Sequence, residues 1–260
     1  MSEKNRDREG RRTARQRLAD EREKQKAADR RRRTLIIGAA VICVLGLAAV
    51  GGVLAANSGK EDKSDSSGPA VAPSGAVGKD ALAVPVGKDS AGAALTIWED
   101  FRCPACQAFE KTYRSTIHQL VDAGQLKVQY HLVTLIDGNT HGSGSRHAAN
   151  AAACAQDARR FTAYHDVLYD NQPQEMDDAF ADDGKLIDLA KQAGGLDTPA
   201  FRSCVEGGTH NTWVDKSNAA FQHGGFGGTP TVLFDGKNLV EDRSMSPAKL
   251  KQMVEAANKK

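Results

Sequence analysis

The feature that most constrains this chain is a pair of cysteines, Cys103 and Cys106, placed where a strand is expected to give way to a helix. They follow an apolar run at residues 94–98 and begin a helical pattern that continues to residue 121. Cysteines spaced this way in a first helical turn come within disulfide range. Free N–H groups and the helix dipole favour the thiolate of the first cysteine. The motif therefore predicts thiol–disulfide exchange.

An uncharged apolar segment follows a basic arm. Residues 35–56 are 22 residues without a charge, enough for a helix of roughly 33 Å that crosses a bilayer. Residues 1–33 carry 14 Lys/Arg against 7 Asp/Glu, whereas residues 57–260 carry 21 against 26. The positive-inside rule then places the arm in the cytoplasm and the rest of the chain outside. A signal peptide cleaved near residue 55 is the alternative.

Composition divides the chain into four parts. We expect a basic cytoplasmic arm at 1–33, a transmembrane helix at 34–56, a flexible linker at 57–80 and a folded domain at 81–260. The arm is poor in large apolar residues, so we expect it to be disordered and to contact anionic lipid rather than nucleic acid. The linker is rich in Ser, Gly and Asp and has no core-forming residues.

The domain has a split α/β pattern, in which a helical stretch separates two groups of strands. Strands are expected at residues 81–86, 94–99, 126–135, 231–234 and 238–241. Helices are expected at residues 104–123, 145–169, 184–193, 199–206, 209–221 and 247–257. In three of these helices a proline occupies the first position, where no N–H is needed.

The five cysteines are separated by the expected topology. Cys43 lies in the apolar segment, and the other four lie in an oxidising compartment where disulfides form. Three pairings of four cysteines are possible. The Cys-x-x-Cys spacing favours Cys103–Cys106, which leaves Cys154–Cys204 as a structural disulfide between two helices. A second redox relay at Cys154–Cys204 is the alternative.

Two motifs, in this order, resemble the thioredoxin superfamily and more closely the DsbA-like thiol:disulfide oxidoreductases. The first is Asp-Phe-Arg-Cys-Pro-Ala-Cys at residues 100–106, and the second is Gly-Thr-Pro-Thr at residues 228–231. The resemblance covers residues 81–260. It implies an α/β thioredoxin fold with an inserted helical domain at about residues 140–222, preceded in this chain by one transmembrane helix.

The resemblance also implies roles for individual residues. Cys103 is expected to be the attacking cysteine and Cys106 the resolving one. Pro230 aligns with the family's cis-proline. Thr229 is expected to offer backbone groups to an extended substrate peptide.

The dipeptide between the cysteines, Pro104-Ala105, departs from strongly oxidising relatives, which carry histidine at the position of Ala105. Alanine offers neither a cation nor a hydrogen-bond donor to the Cys103 sulfur. We therefore expect a less favoured thiolate and a milder oxidant.

Other interpretations stay open. The cysteine pair could form a structural disulfide or bind a metal such as copper. The seven histidines show no compact ligand spacing, so we expect no metal and no cofactor beyond the redox-active Cys103–Cys106 disulfide. Glu99 and Asp100 could influence protons near Cys106 or be solvent-facing caps. Glycines at 224–228 precede a strand and not a helix, so phosphate binding is not expected.

Together these features predict a membrane-anchored bacterial oxidoreductase whose catalytic domain is extracytoplasmic. Its expected substrates are unfolded exported proteins, and a membrane redox partner is expected to recycle the cysteine pair. The alternatives are a reductase or isomerase for dedicated exported clients, and a non-catalytic peptide- or metal-binding module.

Overall fold

A five-stranded mixed sheet organises the chain in a computed structural model that describes residues 69–242 and 244–259. Its strands are β1 (Val84–Val86), β2 (Ala93–Glu99), β3 (Leu126–Leu132), β4 (Thr231–Phe234) and β5 (Lys237–Asn238), in the spatial order β1-β3-β2-β4-β5. Strands β2 and β3 are parallel, and helix α1 (Pro104–Asp122) is the crossover that connects them. The other neighbouring strands pair antiparallel.

A helical insertion separates β3 from β4. Its helices are α2 (Leu135–Thr140), α3 (Gly144–Asp157), α4 (Phe161–Asp170), α5 (Asp183–Ala190), α6 (Pro199–Glu206) and α7 (Asn211–His223). After β5, the chain ends in α8 (Pro247–Ala257), which packs against α1. Short 3-10 turns lie at Lys79–Ala81, Ala179–Ala181 and Leu239–Glu241. The expected α/β arrangement with a helical insertion is confirmed.

The core continues from the sheet into the insertion. Along β2 buried and half-buried residues alternate until Ile97, and the last three residues are all buried. Because neighbouring side chains of a strand point to opposite faces, both faces are covered at this end of β2. Trp98 packs there against Phe221 of α7. In the insertion α3 is alanine-rich and almost wholly buried, and its small side chains allow five other helices, α2 and α4 to α7, to contact it.

Several expected elements are different in the structure. The strand expected at 81–86 begins only at Val84, and the strand expected at 126–135 ends at Leu132, because the unpredicted helix α2 begins at Leu135. The helix expected at 145–169 is divided into α3 and α4, because Arg159 adopts a left-handed backbone with φ of 56° that a continuous helix does not allow. The strand expected at 238–241 retains only Asn238, and the 3-10 turn Leu239–Glu241 replaces the rest. The side chain of Asn238 accepts the N–H of Val240 at 3.2 Å and so caps this turn.

The boundary expected between linker and domain also needs correction. Residues 69–80, placed in the flexible linker at 57–80, pack on the insertion. The N–H of Ser74 donates to Asp157 at 2.7 Å, and the Val71 carbonyl accepts from Nδ1 of His210 at 2.8 Å. These contacts attach residues 71–74 of the expected linker to the insertion, so residues from Val71 onward belong to the folded part.

The expected arm at 1–33, the expected transmembrane helix at 34–56 and the first part of the expected linker lie outside the described residues. Within residues 69–242 and 244–259, none of the helices combines the length and the apolar composition that a membrane crossing requires.

Candidate active site

Cys103 and Cys106 lie at the junction of β2 and α1. The loop after β2 turns through a bond from the Cys103 N–H to the Asp100 carbonyl at 3.0 Å. Cys103 has an extended backbone as the N-cap of α1, and Pro104 begins the helix. Both cysteines are free thiols; 6% of Cys103 is exposed and none of Cys106. Pro104 and Ala105 are exposed between them.

The two thiols are perturbed in opposite directions. A hydrogen bond from the Cys106 side chain lowers the pKa of Cys103 to about 6, against the effect of burial. The backbone N–H groups of Cys106 and Ala105 also lower this pKa. Burial raises the pKa of Cys106 well above its usual range, and its bond to Cys103 adds to the rise. Near neutral pH the site therefore holds a Cys103 thiolate that accepts a hydrogen bond from a Cys106 thiol.

The residues before β4 complete the site. The Thr229–Pro230 peptide is cis. The Thr229 carbonyl accepts a hydrogen bond from the protonated Cys103 thiol, with 3.4 Å between sulfur and oxygen. The structure therefore brings Thr229 into contact with Cys103, although the two residues are 126 positions apart.

The second cysteine pair lies elsewhere. Cys154 of α3 and Cys204 of α6 form a disulfide, with 5.9 Å between their Cα atoms. This bond joins two helices of the insertion and not the loop that carries Cys103. The expected Cys154–Cys204 pairing is present in the structure.

The two acidic residues before the motif are buried, so the solvent-facing interpretation was wrong. Both carboxylate oxygens of Asp100 accept backbone bonds, from Arg102 at 2.8 Å and from Ile136 at 2.9 Å. Burial nevertheless raises the pKa of Asp100 to about 7. Oε1 of Glu99 lies 2.7 Å from Nε2 of His165 in α4. Asp100 thus shapes the cysteine loop, whereas Glu99 ties β2 to the insertion.

A third buried carboxyl group, Glu110, follows Cys106 by one helical turn, and burial raises its pKa to about 8. Burial alone would lower the pKa of His165, but the Glu99 charge raises it to about 10.

Glu99, Glu110 and His165 each place one possible ligand atom within 4.8 Å of the others, so they could hold a metal ion. Nε2 of His165 is already used by Glu99, and this arrangement is an ion pair. That the site uses no metal stays a prediction.

Arg102, beside the catalytic candidate Cys103, was overlooked in the sequence because charged residues are mostly exposed. Its guanidinium is buried and pairs with Asp137 of α2 at 2.7 Å and with Asp178 at 2.6 Å. It also donates to the Glu175 carbonyl at 2.9 Å. Arg102 thereby fixes the cysteine loop to two parts of the insertion.

Glu110 and His165 were also not predicted from the sequence as partners near the site. Helical spacing places both on faces shared with other residues of interest. Glu110 lies four residues after Cys106 on one face of α1, and His165 lies four residues after the buried Phe161. Neither spacing identifies a partner across the fold.

An apolar cavity of about 250 Å³ lies along α1, which begins at the cysteine pair, and along β4, which directly follows the cis-proline. Its lining includes Phe109, Tyr113, Val232, Leu239, Met245 and Leu250.

Comparison with known proteins gives one family and several relatives. Residues 81–256 match the family model described as Thioredoxin. The chain is 31% identical over 165 residues to the serine/threonine-protein kinase PknE of Mycobacterium tuberculosis, an alignment that covers 60% of this chain and 29% of the kinase. It is 26% identical over 155 residues to disulfide bond formation protein D of Bacillus subtilis, covering 58% of this chain and 67% of that protein. The chain thus spans less than a third of the kinase it matches.

Solved structures include two neighbours from the same mycobacterium. The reduced form of its disulfide bond oxidoreductase DsbG has a TM-score of 0.60 and 30% identity, covering 68% of this chain and 88% of that one. Its oxidised DsbA has a TM-score of 0.58 and 29% identity, covering 67% and 92%. Structural neighbours of this chain are therefore disulfide bond oxidoreductases.

Proposed function

The chain belongs to the thioredoxin family, and from this premise we propose that it is a DsbA-like thiol:disulfide oxidoreductase that introduces or exchanges disulfides in exported polypeptides. The observation that carries the proposal is the placement of two free thiols at the start of α1, with the Cys103 sulfur 3.4 Å from the Thr229 carbonyl that precedes the cis-proline. The opposite shifts in the pKa of Cys103 and of Cys106 support exchange chemistry, because a structural disulfide needs no such asymmetry. The identity of solved neighbours as disulfide bond oxidoreductases supports the same activity.

The oxidation of a substrate proceeds in two exchanges. A substrate thiolate attacks the Cys103 sulfur of the Cys103–Cys106 disulfide, which forms a mixed disulfide and releases Cys106 as a thiol after it takes up a proton. A second substrate thiolate then attacks the substrate sulfur of the mixed disulfide. Cys103 leaves as a thiolate, and its low pKa makes it a good leaving group. The substrate has lost two electrons, and the protein has gained them as the Cys103 thiolate and the Cys106 thiol.

The surroundings of the cysteine pair suit a polypeptide substrate. The backbone of Thr229 can pair with an extended chain, in the manner of strand addition. The apolar cavity along α1 and β4 offers a place for an apolar side chain of that segment. Pro230 directly precedes strand β4, and Val232 of that strand lines the cavity.

We further propose that the domain works outside the cell membrane, tethered by residues 34–56 with residues 1–33 in the cytoplasm. The uncharged apolar run next to four arginines supports this topology. The Cys154–Cys204 disulfide supports an oxidising compartment. A membrane redox partner would then reoxidise the reduced pair, or supply electrons if the protein acts as a reductase or isomerase.

The test uses the full chain with Cys43→Ser, so that only the four cysteines of the described domain can take part in thiol–disulfide exchange. The oxidised protein should convert a reduced peptide with two cysteines to its disulfide, and one peptide should be oxidised per protein molecule. Cys103→Ser should abolish this reaction. In Cys106→Ala the Cys103 thiolate should attack the disulfide of the oxidised peptide, release one peptide thiol and accumulate as a mixed disulfide, because no Cys106 is present to resolve it. The reduced protein should also reduce insulin if the exchange runs backwards. Absence of both peptide oxidation and insulin reduction would leave the binding-module alternative.

A further inference from the structure

A glutamine of the insertion reaches the cysteine loop. Gln172, two residues after the end of α4, donates from Nε2 to the carbonyl of Phe101 at 2.8 Å and to that of Cys103 at 3.0 Å. A side-chain amide nitrogen carries two hydrogens, so a single nitrogen can satisfy both carbonyls. The two bonds hold the backbone on either side of Arg102 with one side chain.

The position of the Cys103 backbone decides where its sulfur lies. The Cys103 carbonyl also accepts the N–H of Gln107 at 3.2 Å, which is a bond of the first turn of α1. The backbone N–H groups of Ala105 and Cys106 favour the thiolate, and such bonds weaken steeply with distance and angle. A shift of the Cys103 backbone would therefore move the sulfur relative to the N–H groups that stabilise its charge.

We propose that Gln172 is a positioning residue for the oxidoreductase site: its amide holds the Cys103 backbone so that the sulfur stays at the N-terminus of α1. The inference rests on the proposed function and adds to it a contribution of the helical insertion to the nucleophile. Gln172 acts through the Phe101 and Cys103 carbonyls and does not touch the sulfur.

Two other contacts allow the role of Gln172 to be tested without dismantling the site. Nε2 of Gln107 donates to the Tyr169 carbonyl at 2.8 Å, and the Tyr169 hydroxyl donates to the Asp100 carbonyl at 3.3 Å. These bonds keep α4 against the loop when Gln172 is replaced. The titratable groups that face Cys103 are Cys106 and Asp100, and a neutral substitution at Gln172 changes neither.

The experiment compares Gln172→Met, which keeps the length of the side chain but has no donor, with Gln174→Met, an exposed glutamine of the same segment. Both are made in the full chain with Cys43→Ser. The rate of Cys103 alkylation in the reduced protein is measured as a function of pH. The midpoint of this pH profile is the Cys103 pKa. We expect Gln172→Met to raise the midpoint by at least about half a pH unit, which is a roughly threefold loss of thiolate at a pH below both midpoints. Gln174→Met should leave the midpoint at its original value.

The redox equilibrium with glutathione gives a second readout. A less stable thiolate favours the disulfide, so Gln172→Met should shift this equilibrium at pH 7 toward the oxidised form by roughly two- to threefold. Gln172→Leu is also neutral and has no hydrogen-bond donor, so it adds no charge near the Cys103 sulfur. Its midpoint should rise as in Gln172→Met, and it tests the proposal if the Met variant does not fold.

An unchanged alkylation midpoint in both Gln172 variants would overturn the proposal, and so would a lower melting temperature without a change in midpoint. The second outcome would make Gln172 a structural anchor only. Failure of the proposed function looks different, because the unsubstituted protein would then neither oxidise the peptide nor reduce insulin.

Discussion

Oε1 of Glu99 and Nε2 of His165 lie 2.7 Å apart, and both side chains are almost completely shielded from solvent. The pair joins the last residue of β2 to α4, so it fixes the insertion to the strand end that leads into the cysteine loop. The rings of Phe101, Tyr130, Phe161 and Tyr169 surround His165. Because both side chains are shielded from solvent, loss of one partner leaves an uncompensated buried charge.

We therefore expect His165→Gln to lower the free energy of unfolding by about 3–5 kcal/mol. The pKa of His165 is raised to about 10 in the folded protein, whereas an unfolded histidine titrates near its usual value of about 6.5. Its stabilisation is complete below about pH 6.5 and is lost as the pH rises through about 10. Urea unfolding between pH 8 and 10 should show this loss, and His165→Gln should flatten it.

The control is His118→Gln, because His118 is partly exposed and lies 3.6 Å from Asp166. This change should cost less than about 1 kcal/mol. The measurement uses the oxidised protein, in which Cys103 and Cys106 do not titrate. Glu110, whose folded pKa is about 8, loses its own stabilisation from about pH 4.5 to 8, so the loss of stability between pH 8 and 10 reports on His165. An unaltered pH slope in His165→Gln would contradict the assignment of the charge.

The alanine between the cysteines gives a second prediction. Ala105 contributes a backbone N–H to the Cys103 thiolate but no side-chain donor. Ala105→His should lower the Cys103 pKa below about 6 and make the protein a stronger oxidant, because the reduced form gains stability. The pKa follows from the ultraviolet absorbance of the thiolate and the potential from equilibration with glutathione. Ala105→Gln adds a side chain without a cation and serves as the control. Equal values for the natural and His variants would show that Ala105 does not set the potential.

Local signals in the sequence predicted many elements well. Proline after a capping Thr or Ser marks the first turn of α6 and of α8, and the bounds Pro199–Glu206 and Pro247–Ala257 agree with the expected ones. Strand β4 also has its expected bounds. The break between α3 and α4 was not predicted, because apolar spacing continues across it and the left-handed backbone of Arg159 leaves no mark in the composition.

Long-range partners were not predictable in the same way. Glu99 and His165 are 66 positions apart, and Gln172 is 69 positions from Cys103. No helical or strand periodicity relates residues so far apart, and only the path of the chain through the insertion brings them together. The placement of Cys103 beside Thr229 followed from a family resemblance. The chemical roles of Cys103, Cys106, Thr229 and Pro230 stay predictions.

Close packing around Arg102 leads to a third prediction, which concerns two glycines. A methyl group on Gly144 would lie 2.7 Å from Oδ1 of Asp178, the partner of Arg102, and 3.1 Å from the backbone nitrogen of Ala181. Gly144→Ala should therefore destabilise the protein by about 1–3 kcal/mol. Gly138→Ala in α2 is the matched control, since no neighbour lies within 4 Å of its added carbon. It should be neutral or stabilising by up to about 1 kcal/mol. Equal effects in urea unfolding would argue against a constraint from the Arg102–Asp178 pair.

Removal of the Cys154–Cys204 disulfide distinguishes a structural role of this bond from a role as a second redox relay. It closes a loop of 50 residues, for which the chain-entropy model gives about 4 kcal/mol of stabilisation. Cys154→Ala/Cys204→Ala should lose about this amount in urea unfolding at neutral pH. Peptide oxidation by Cys103 and Cys106 should continue at a similar rate at a temperature where the variant stays folded. Each molecule of either protein should oxidise one peptide. A relay would change that number, because an unsubstituted protein with two exchangeable disulfides would oxidise two peptides and the double variant only one.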